Sequence, residues 1–322
     1  MSFPLLPVRR WTRGRFVVAT PAKLNLFLEV ERRRADGYHD IVSLLLALGW
    51  GDLLLAEVRR DGEEDTLRVE GEEAPADATN LVLVALAAAR ARRPVPPLSL
   101  LLRKRVPPGA GLGGGSGDAA GLLALIEEIA PDPAGIEGAM EIAAAVGSDV
   151  PFFLGPSAAA VARGRGERLE PFPGRLFEGE RPALVIVLPR IPSPTARAYA
   201  RLSFPLTSPD GPITFPARTF ASAGGWPRGL FNRLEGPLIA AEPQLAELAS
   251  RLRDFARARP EAATGVGMTG SGSAYFLAAR DRVGARRLEA LLRAANGPLA
   301  SFTRATGVPV ATATTEPHPA LS

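Results

Sequence analysis

Pro107-Pro108-Gly109-Ala110-Gly111-Leu112-Gly113-Gly114-Gly115-Ser116-Gly117-Asp118 is a stretch with six glycines in the nine residues from 109 to 117. A strand is predicted before it, over Leu98–Arg105, and an apolar helix after it, over Asp118–Ile129. Glycine permits positive φ and close approach of the backbone, and a helix N-terminus adds about half a positive charge. The stretch therefore predicts a loop that binds the phosphates of a nucleotide.

Other interpretations of this loop are disfavoured. A flexible glycine linker is not expected between a strand and a helix as apolar as Ala119–Ile129. The loop ends in Gly-Gly-Ser rather than in the Gly-Lys-Ser/Thr of a Walker A motif, which argues against a P-loop NTPase. Gly109, Gly111 and Gly114 match the dinucleotide-binding pattern, but the acidic residue that a dehydrogenase needs after its second strand is missing.

The segments around the loop predict an α+β fold. The first third of the chain is β-rich, with strands expected at Phe16–Thr20, Leu24–Glu31, Val42–Leu48, Asp52–Val58 and Thr66–Glu70. Helices are expected on either side of the loop region, at Asn80–Arg93 and Ile136–Val146. The later elements are expected at Ala183–Leu188 (strand), Gln244–Arg257 (helix), Ser273–Ala278 (strand), Val283–Ala295 (helix) and Val308–Thr314 (strand). We expect two domains, residues 1–175 and 176–322.

Composition limits the class of protein. The chain has 322 residues, of which 46% are apolar, and no stretch reaches the roughly 18 consecutive apolar residues of a membrane helix. The basic segment Met1–Phe16 lacks the apolar run of a signal peptide, so a short disordered extension is expected there. The chain contains no cysteine, which excludes disulfides and fits a cytoplasmic location.

The charged residues argue against a nucleic-acid partner and a transition-metal site. Arginine provides 36 of the 38 basic residues, and only Lys23 and Lys104 are lysines. The arginines are dispersed among acids instead of forming a basic stripe, as expected for a solvated surface. With two histidines, no cysteine and no cluster of acids, no transition-metal site is predicted.

Lys23 and Asn25 interrupt the apolar segment Thr20–Leu28 two residues apart. In a strand, this spacing puts both side chains on the same face. A lysine at a strand edge is usually solvated, but here lysine is kept in a chain that otherwise uses arginine. Lysine offers a compact charge whose pKa shifts readily on burial, which suits a catalytic site.

Three further segments carry polar groups that suit a binding or catalytic site. Asp149 follows a predicted helix within Gly147–Leu154, where it is either a partly desolvated carboxylate or a turn residue. Tyr38 and His39 lie together in a predicted turn, where a base-stacking platform or simple packing on the sheet is possible. Gly265–Gly272 is a second glycine and hydroxyl cluster, which lines a phosphate or merely turns the chain.

The order of these segments resembles the GHMP kinases, whose three motifs match Pro21–Phe27, Pro107–Ala120 and Gly265–Gly272. The resemblance implies a two-domain GHMP kinase fold. Its N-terminal part is a ribosomal-protein-S5-like β-rich domain that binds ATP and carries the catalytic residues. Its C-terminal part is a ferredoxin-like α+β sandwich. ATP and Mg²⁺ are the implied cofactors, with an alcohol group as phosphoryl acceptor in the cleft between the domains.

The resemblance also implies roles for individual residues. Lys23 and Asp149 form the catalytic pair, and the ATP phosphates are wrapped by Pro107, Pro108, Gly109, Ala110, Gly111, Leu112, Gly113, Gly114, Gly115, Ser116 and Gly117. Gly117 stands where the family commonly has a second serine, so a hydroxyl contact there is absent. Arg233 stands where an acid is common, and no role is assigned to it.

Ala35–His39 and Gly147–Phe153 resemble the members that act on a small cytidine diphosphate substrate. The implied substrate-binding residues are Asn25, Tyr38, His39, Gly270 and Ser271, with the Tyr38 ring stacked on the cytosine. A monomer or homodimer is expected. The alternatives are another GHMP kinase that acts on homoserine, a mevalonate or a sugar, or a catalytically silent nucleotide-binding protein.

Overall fold

The computed structural model describes residues 3–172, 183–189, 191, 193, 195–202, 215–221, 226–294 and 306–309. Along the chain the strands are β1 (Val8–Thr12), β2 (Arg15–Arg33), β3 (His39–Val58), β4 (Thr66–Gly71), β5 (Leu98–Lys104), β6 (Ala159–Gly164), β7 (Arg168–Pro171), β8 (Ala183–Val187), β9 (Phe231–Asn232), β10 (Ala263–Met268), β11 (Tyr275–Ala279) and β12 (Thr306–Pro309). The helices are α1 (Leu81–Arg90), α2 (Gly114–Ile129), α3 (Gly135–Val146), α4 (Val150–Leu154), α5 (Thr195–Ala200), α6 (Ala217–Ala221), α7 (Glu235–Ala241), α8 (Pro243–Arg257) and α9 (Arg282–Ala294).

Two long antiparallel strands, β2 and β3, form the centre of the larger sheet, whose order is β1-β2-β3-β5-β4. We expected two separate strands in each of these regions, which was wrong. The pairing register shifts between Pro21 and Lys23 and again between Asn25 and Phe27, so the chain is bulged rather than turned there. A β-bulge re-aims side chains without ending the strand. The Lys23 and Asn25 side chains of β2 lie at these bulges.

The first core cluster lies between the larger sheet and helices α1 to α3. Helix α2 is buried on nearly every side, as its apolar sequence indicates. The N-terminal segment belongs to this core as well, because Phe3, Leu5 and Leu6 are buried in it and β1 pairs with β2. The prediction of a disordered N-terminal extension is therefore wrong, because apolar side chains of this segment pack into the core.

The smaller sheet has the order β10-β11-β8-β12 and is antiparallel throughout. Helices α8 and α9 bury their apolar faces on it, so the helices expected near 244–257 and 283–295 are confirmed. The last expected strand begins two residues earlier, at Thr306, and residues 310–314 lie outside the described residues. The elements that were not predicted are all short: β1, β6, β7, β9, β10, α4, α5, α6 and α7.

A buried ion network fixes the strand that leads into the glycine-rich loop. The Lys104 ammonium contacts one carboxylate oxygen of Asp52 and donates to Asp118 Oδ2 at 2.7 Å. The Thr20 hydroxyl donates to the other Asp118 oxygen at 2.7 Å, and the Val106 N–H donates to Asp52 at 2.8 Å. Burial raises the pKa of Asp118 to about 7. Burial alone would lower the pKa of Lys104, but the two aspartates raise it.

We expect Lys104→Met to destabilise the protein by about 3–5 kcal/mol near neutral pH, because it leaves two buried carboxylates without a cation. Burial already raises the pKa of Asp118, and without Lys104 this pKa rises further above its value in the unfolded chain. The contribution of Asp118 to stability is then present in acid and is lost as pH rises through the folded pKa. The loss measured by urea unfolding should thus be smaller at about pH 5 than at about pH 8.

The matched control is Arg92→Met, which breaks the exposed ion pair with Glu141. This variant should stay within about 1 kcal/mol of the parent at both pH values. An equal loss for Lys104→Met at both pH values would show that the lysine does not act by neutralising the aspartates.

Candidate functional site

The glycine-rich loop presents its backbone, rather than side chains, to the site. Gly109, Gly111 and Gly113 have φ of 72°, 78° and 67°, a region that favours glycine. The side chains of Ala110 and Leu112 are buried in the second core cluster and hold the loop in place. Pro107 is half-buried, and Pro108 is exposed. Successive N–H groups, rather than side chains, are therefore available to an anion.

Helix α2 begins at Gly114 and not at Asp118, so residues 114 to 117 form its first turn. The sequence placed them in the loop because glycine disfavours helix. Packing explains the glycine at 117: a Cβ there would lie 2.4 Å from the Pro21 carbonyl oxygen. Gly114, Gly115, Ser116 and Gly117 thus place the positive end of a buried helix beside the loop.

The Lys23 ammonium is buried where β2 meets the loop. Its Nζ donates to Asn25 Oδ1 at 2.8 Å and to the Gly111 carbonyl oxygen at 3.1 Å. Lys23 is only 4% exposed, and its backbone N–H donates to the Leu112 oxygen at 2.8 Å. The prediction that the side chains of Lys23 and Asn25 share one face of the strand is confirmed.

Asp149 approaches the same ammonium from another part of the chain. Its Oδ2 lies 3.4 Å from Lys23 Nζ, and its side chain is 34% exposed. Asp149 precedes α4, yet its side chain makes no capping bond to that helix. The carboxylate is therefore left facing the site, with one side open to solvent.

The Gly265–Gly272 segment is the third part of the site. Gly270 has φ of 55°, and a Cβ there would lie 2.7 Å from the Gly111 oxygen, so the two glycine loops touch. The Asn232 side chain donates to the carbonyl oxygens of Met268 and Gly270, at 3.0 and 2.9 Å. Ser271 is buried. The backbone of this segment is thus held against the glycine-rich loop.

Tyr38 and His39 lie at the hairpin between β2 and β3. The Tyr38 ring is 54% exposed, and the Arg165 guanidinium lies over it, 4.9 Å from the ring centroid. The His39 ring stacks on Tyr199 with centroids 4.8 Å apart. Burial, with the charge of Arg33, lowers the pKa of His39. Burial and the charge of Asp149 raise the pKa of Tyr199.

Several polar residues of this region were missed from the sequence. Ser43 accepts a bond from Asn25 Nδ2 at 2.8 Å, and Arg233 forms a two-bond ion pair with Glu29 on β2. Tyr199 and Arg165 were also missed, because they lie far along the chain from the ring that each one covers. Lys104 could have been found from the sequence, because it is the second of two lysines in an arginine-rich chain.

Across the described residues, no group of three or more His, Cys, Asp or Glu side chains could hold a metal ion. Mg²⁺ commonly binds one or two carboxylates together with waters and substrate phosphates, so it does not require such a group. Within the same residues, no helix is both long and apolar enough to cross a membrane.

We expect Gly111→Ala to weaken ATP binding at least tenfold. Alanine is strained at this φ, and its Cβ would lie 2.2 Å from the Thr269 carbonyl oxygen, so the two loops must separate. Gly62→Ala is a matched control, since Gly62 has φ of 87° and no atom within 4 Å of an added Cβ. Calorimetric titration with ATP measures both variants, and equal affinities would contradict the role given to the Gly111 contact.

Comparisons with known proteins identify the family of the chain. Residues 80–156 match the family described as GHMP kinases N terminal domain. A 4-diphosphocytidyl-2-C-methyl-D-erythritol kinase of Caulobacter sp. (strain K31) is 38% identical over 80% of this chain and 86% of its own length. A Thermus thermophilus protein of the same name is 36% identical over 85% of this chain and 91% of its own length.

A solved structure gives the same result. The crystal structure of a 4-(cytidine 5'-diphospho)-2C-methyl-D-erythritol kinase aligns with a TM-score of 0.70 and 32% identity, and covers 92% of this chain and 100% of the other. The fold is thus the GHMP kinase fold, with mixed α and β content. On these grounds, the chain belongs to the 4-diphosphocytidyl-2-C-methyl-D-erythritol kinase family of ATP-dependent kinases.

Proposed function

We propose that this chain transfers the γ-phosphoryl group of ATP to the 2-hydroxyl of 4-diphosphocytidyl-2-C-methyl-D-erythritol, in the non-mevalonate route to isoprenoid precursors. The observation that carries the proposal is the 3.4 Å ion pair between Lys23 and Asp149 beside a glycine loop at a helix N-terminus. The names of the relatives supply the substrate. An aligned base, a cation and a phosphate-binding backbone are the parts that phosphoryl transfer requires.

Asp149 is the proposed general base. Its open side can accept the proton of the acceptor hydroxyl, while its other side faces the ammonium. Lys23 lowers the cost of forming the alkoxide and stabilises charge on the transferred phosphoryl group. Because the ammonium is nearly excluded from water, its field acts at low local dielectric.

The backbone from Pro107 to Gly117 is proposed to hold the ATP phosphates. The first turn of α2 contributes its free N–H groups and the positive end of its dipole. Mg²⁺, when bound, neutralises phosphate charge in such reactions. In the described part of the chain the half-exposed Asp149 is the carboxylate nearest the ammonium, whereas the Asp118 carboxylate is taken up by Lys104 and Thr20.

The cytidine diphosphate end is proposed to lie at the β2–β3 hairpin. Tyr38 offers an exposed ring face, and the lowered pKa of His39 favours a neutral ring with one donor and one acceptor. Asn25 links this end to Lys23, and Gly270 and Ser271 are the proposed contacts from the third motif. A cytidine site supports this substrate over homoserine, a mevalonate or a sugar.

We also propose two domains that meet near residue 175, an S5-like N-terminal domain and a ferredoxin-like C-terminal domain. The smaller sheet, built only from strands that follow this point, supports the division. The two parts are packed together, because Leu28, Val30 and Ile41 share a core cluster with this sheet. The cytoplasmic location and the monomeric or dimeric state stay predictions from the sequence.

We expect Asp149→Asn to lower kcat by roughly 10²–10⁴ with the fold intact, the usual range for loss of a general base. Steady-state kinetics gives kcat, and circular dichroism checks the fold. Asp132→Asn, at an exposed loop position, is the matched control and should leave kcat unchanged. Near-normal turnover of Asp149→Asn would remove the base assignment.

We expect Tyr38→Ala to raise the KM for the cytidine substrate roughly 5- to 100-fold, the range of one lost base stack, and to leave the KM for ATP nearly unchanged. Tyr38→Phe keeps the ring and should behave like the parent. If both KM values rise equally, the ring does not stack on the cytosine.

The test of the function itself is ADP release from Mg·ATP by the purified protein with several acceptors side by side. These are 4-diphosphocytidyl-2-C-methyl-D-erythritol, methylerythritol phosphate, mevalonate, homoserine and galactose. Turnover with the cytidine compound alone is the expected result. Turnover with another acceptor would keep the kinase and discard the cytidine site, and ATP binding without any turnover would indicate a silent nucleotide-binding protein.

A further inference from the structure

Thr269 lies where the three motifs of the site meet. Its side chain is fully buried, at 0% exposure. The Thr269 Oγ1 accepts a hydrogen bond from the Asn25 backbone N–H at 3.0 Å. The same hydroxyl lies 3.2 Å from the Gly111 carbonyl oxygen and 3.4 Å from Asn25 Oδ1. A hydroxyl carries one donor and two acceptor lone pairs, so it donates to Gly111, the nearer oxygen, while it accepts from Asn25.

These two partners are also the groups that hold the Lys23 ammonium. The ammonium has three N–H donors. It donates to two acceptors, Asn25 Oδ1 at 2.8 Å and the Gly111 oxygen at 3.1 Å, and it forms an ion pair with Asp149 Oδ2 at 3.4 Å. Thr269 bonds to the residues that provide the first two. Its hydroxyl thus helps to fix two of the three N–H donors, and with them the position of the ammonium relative to Asp149.

We propose that Thr269 is a positioning residue that aims the Lys23 ammonium at Asp149 by holding Asn25 and Gly111 in register. This inference rests on the proposed function, because it matters for turnover only if Lys23 and Asp149 carry the reaction. Thr269 acts through these partners, because none of the described hydrogen bonds joins it to the ammonium.

The segment that carries Thr269 is held firmly enough for this role. The Thr269 N–H donates to the Ala274 oxygen at 3.1 Å, and the Ala274 N–H donates to the Ala110 oxygen at 3.2 Å. Asn232 holds the carbonyl oxygens on both sides of Thr269. A hydroxyl that is held in place can fix the position of the loop that it bonds to, whereas a mobile hydroxyl would move with the loop.

The test compares Thr269→Val, which has the same shape but no hydroxyl, with Thr269→Ser, which keeps the hydroxyl. We expect Thr269→Val to lower kcat by about 10- to 100-fold, with both KM values within about threefold, because a small misplacement of a reacting group costs this much. Thr269→Ser should recover kcat to within about threefold of the parent. Thr264→Val is the matched control on β10, where the hydroxyl bonds to Ala278 outside the site, and should change neither constant.

A spectroscopic readout separates positioning from a general loss of structure. Because Lys23 and Lys104 are the only lysines, ¹⁵N-lysine labelling gives two side-chain ammonium signals. Thr269→Val should shift the Lys23 signal and leave that of Lys104, which lies in a separate buried network, unchanged. If the Thr269→Val variant does not fold, Thr269→Ala gives the same test. It removes the hydroxyl and places no methyl group against the polar atoms that the hydroxyl bonded.

Three results would overturn the inference: a Thr269→Val enzyme within twofold of the parent kcat, an unshifted Lys23 signal, or a Thr269→Ser enzyme as slow as Thr269→Val. Lys23→Met separates this inference from the proposed function. If Lys23→Met is fully active, the catalytic assignment itself fails. If it is inactive while Thr269→Val is normal, only the role of Thr269 fails.

Discussion

A buried ammonium needs an acceptor for each of its N–H groups, and the way in which Lys23 meets this need determines the arrangement of the site. Two acceptors, Asn25 Oδ1 and the Gly111 oxygen, come from the strand and from the glycine-rich loop. The Asp149 carboxylate, which directly precedes the short helix α4, adds an ion pair. Without this set of contacts, the polar N–H groups of Lys23 would be buried without partners, which is costly. The strand, the loop and the helix are therefore mutually dependent.

The Lys104 ammonium is also buried, but it bonds to different partners. Lys104 lies between Asp52 and Asp118. These aspartates also accept hydrogen bonds from a backbone N–H and a hydroxyl group near the start of the glycine-rich loop. The described arginines that form ion pairs, in contrast, are mostly in exposed or half-exposed pairs, which contribute little to stability. Both lysines are thus enclosed, whereas the paired arginines, apart from the buried Arg93, keep contact with water.

Sequence reasoning found the parts of the site that depend on local pattern. The glycine-rich loop, the shared face of Lys23 and Asn25, and the α+β alternation follow from spacing and composition. The start of α2 was misplaced because the glycines that disfavour a helix are required by close packing on Pro21, which is a tertiary constraint. The long strands β2 and β3 were divided because a bulge and a turn look alike in sequence. Tyr199, Arg165 and Thr269 were not assigned roles because their partners are distant in the chain.

The short strand β9 has a consequence for how the chain assembles. Phe231 and Asn232 return from the second half of the sequence to pair in parallel with Phe27 and Leu28 on β2. During synthesis, this edge of β2 stays open until about 200 further residues have left the ribosome, a separation that slows pairing. An open edge is a site of faulty strand addition in the meantime. Two regions that look like independent folding units in the sequence therefore complete one sheet only after Asn232 has been made.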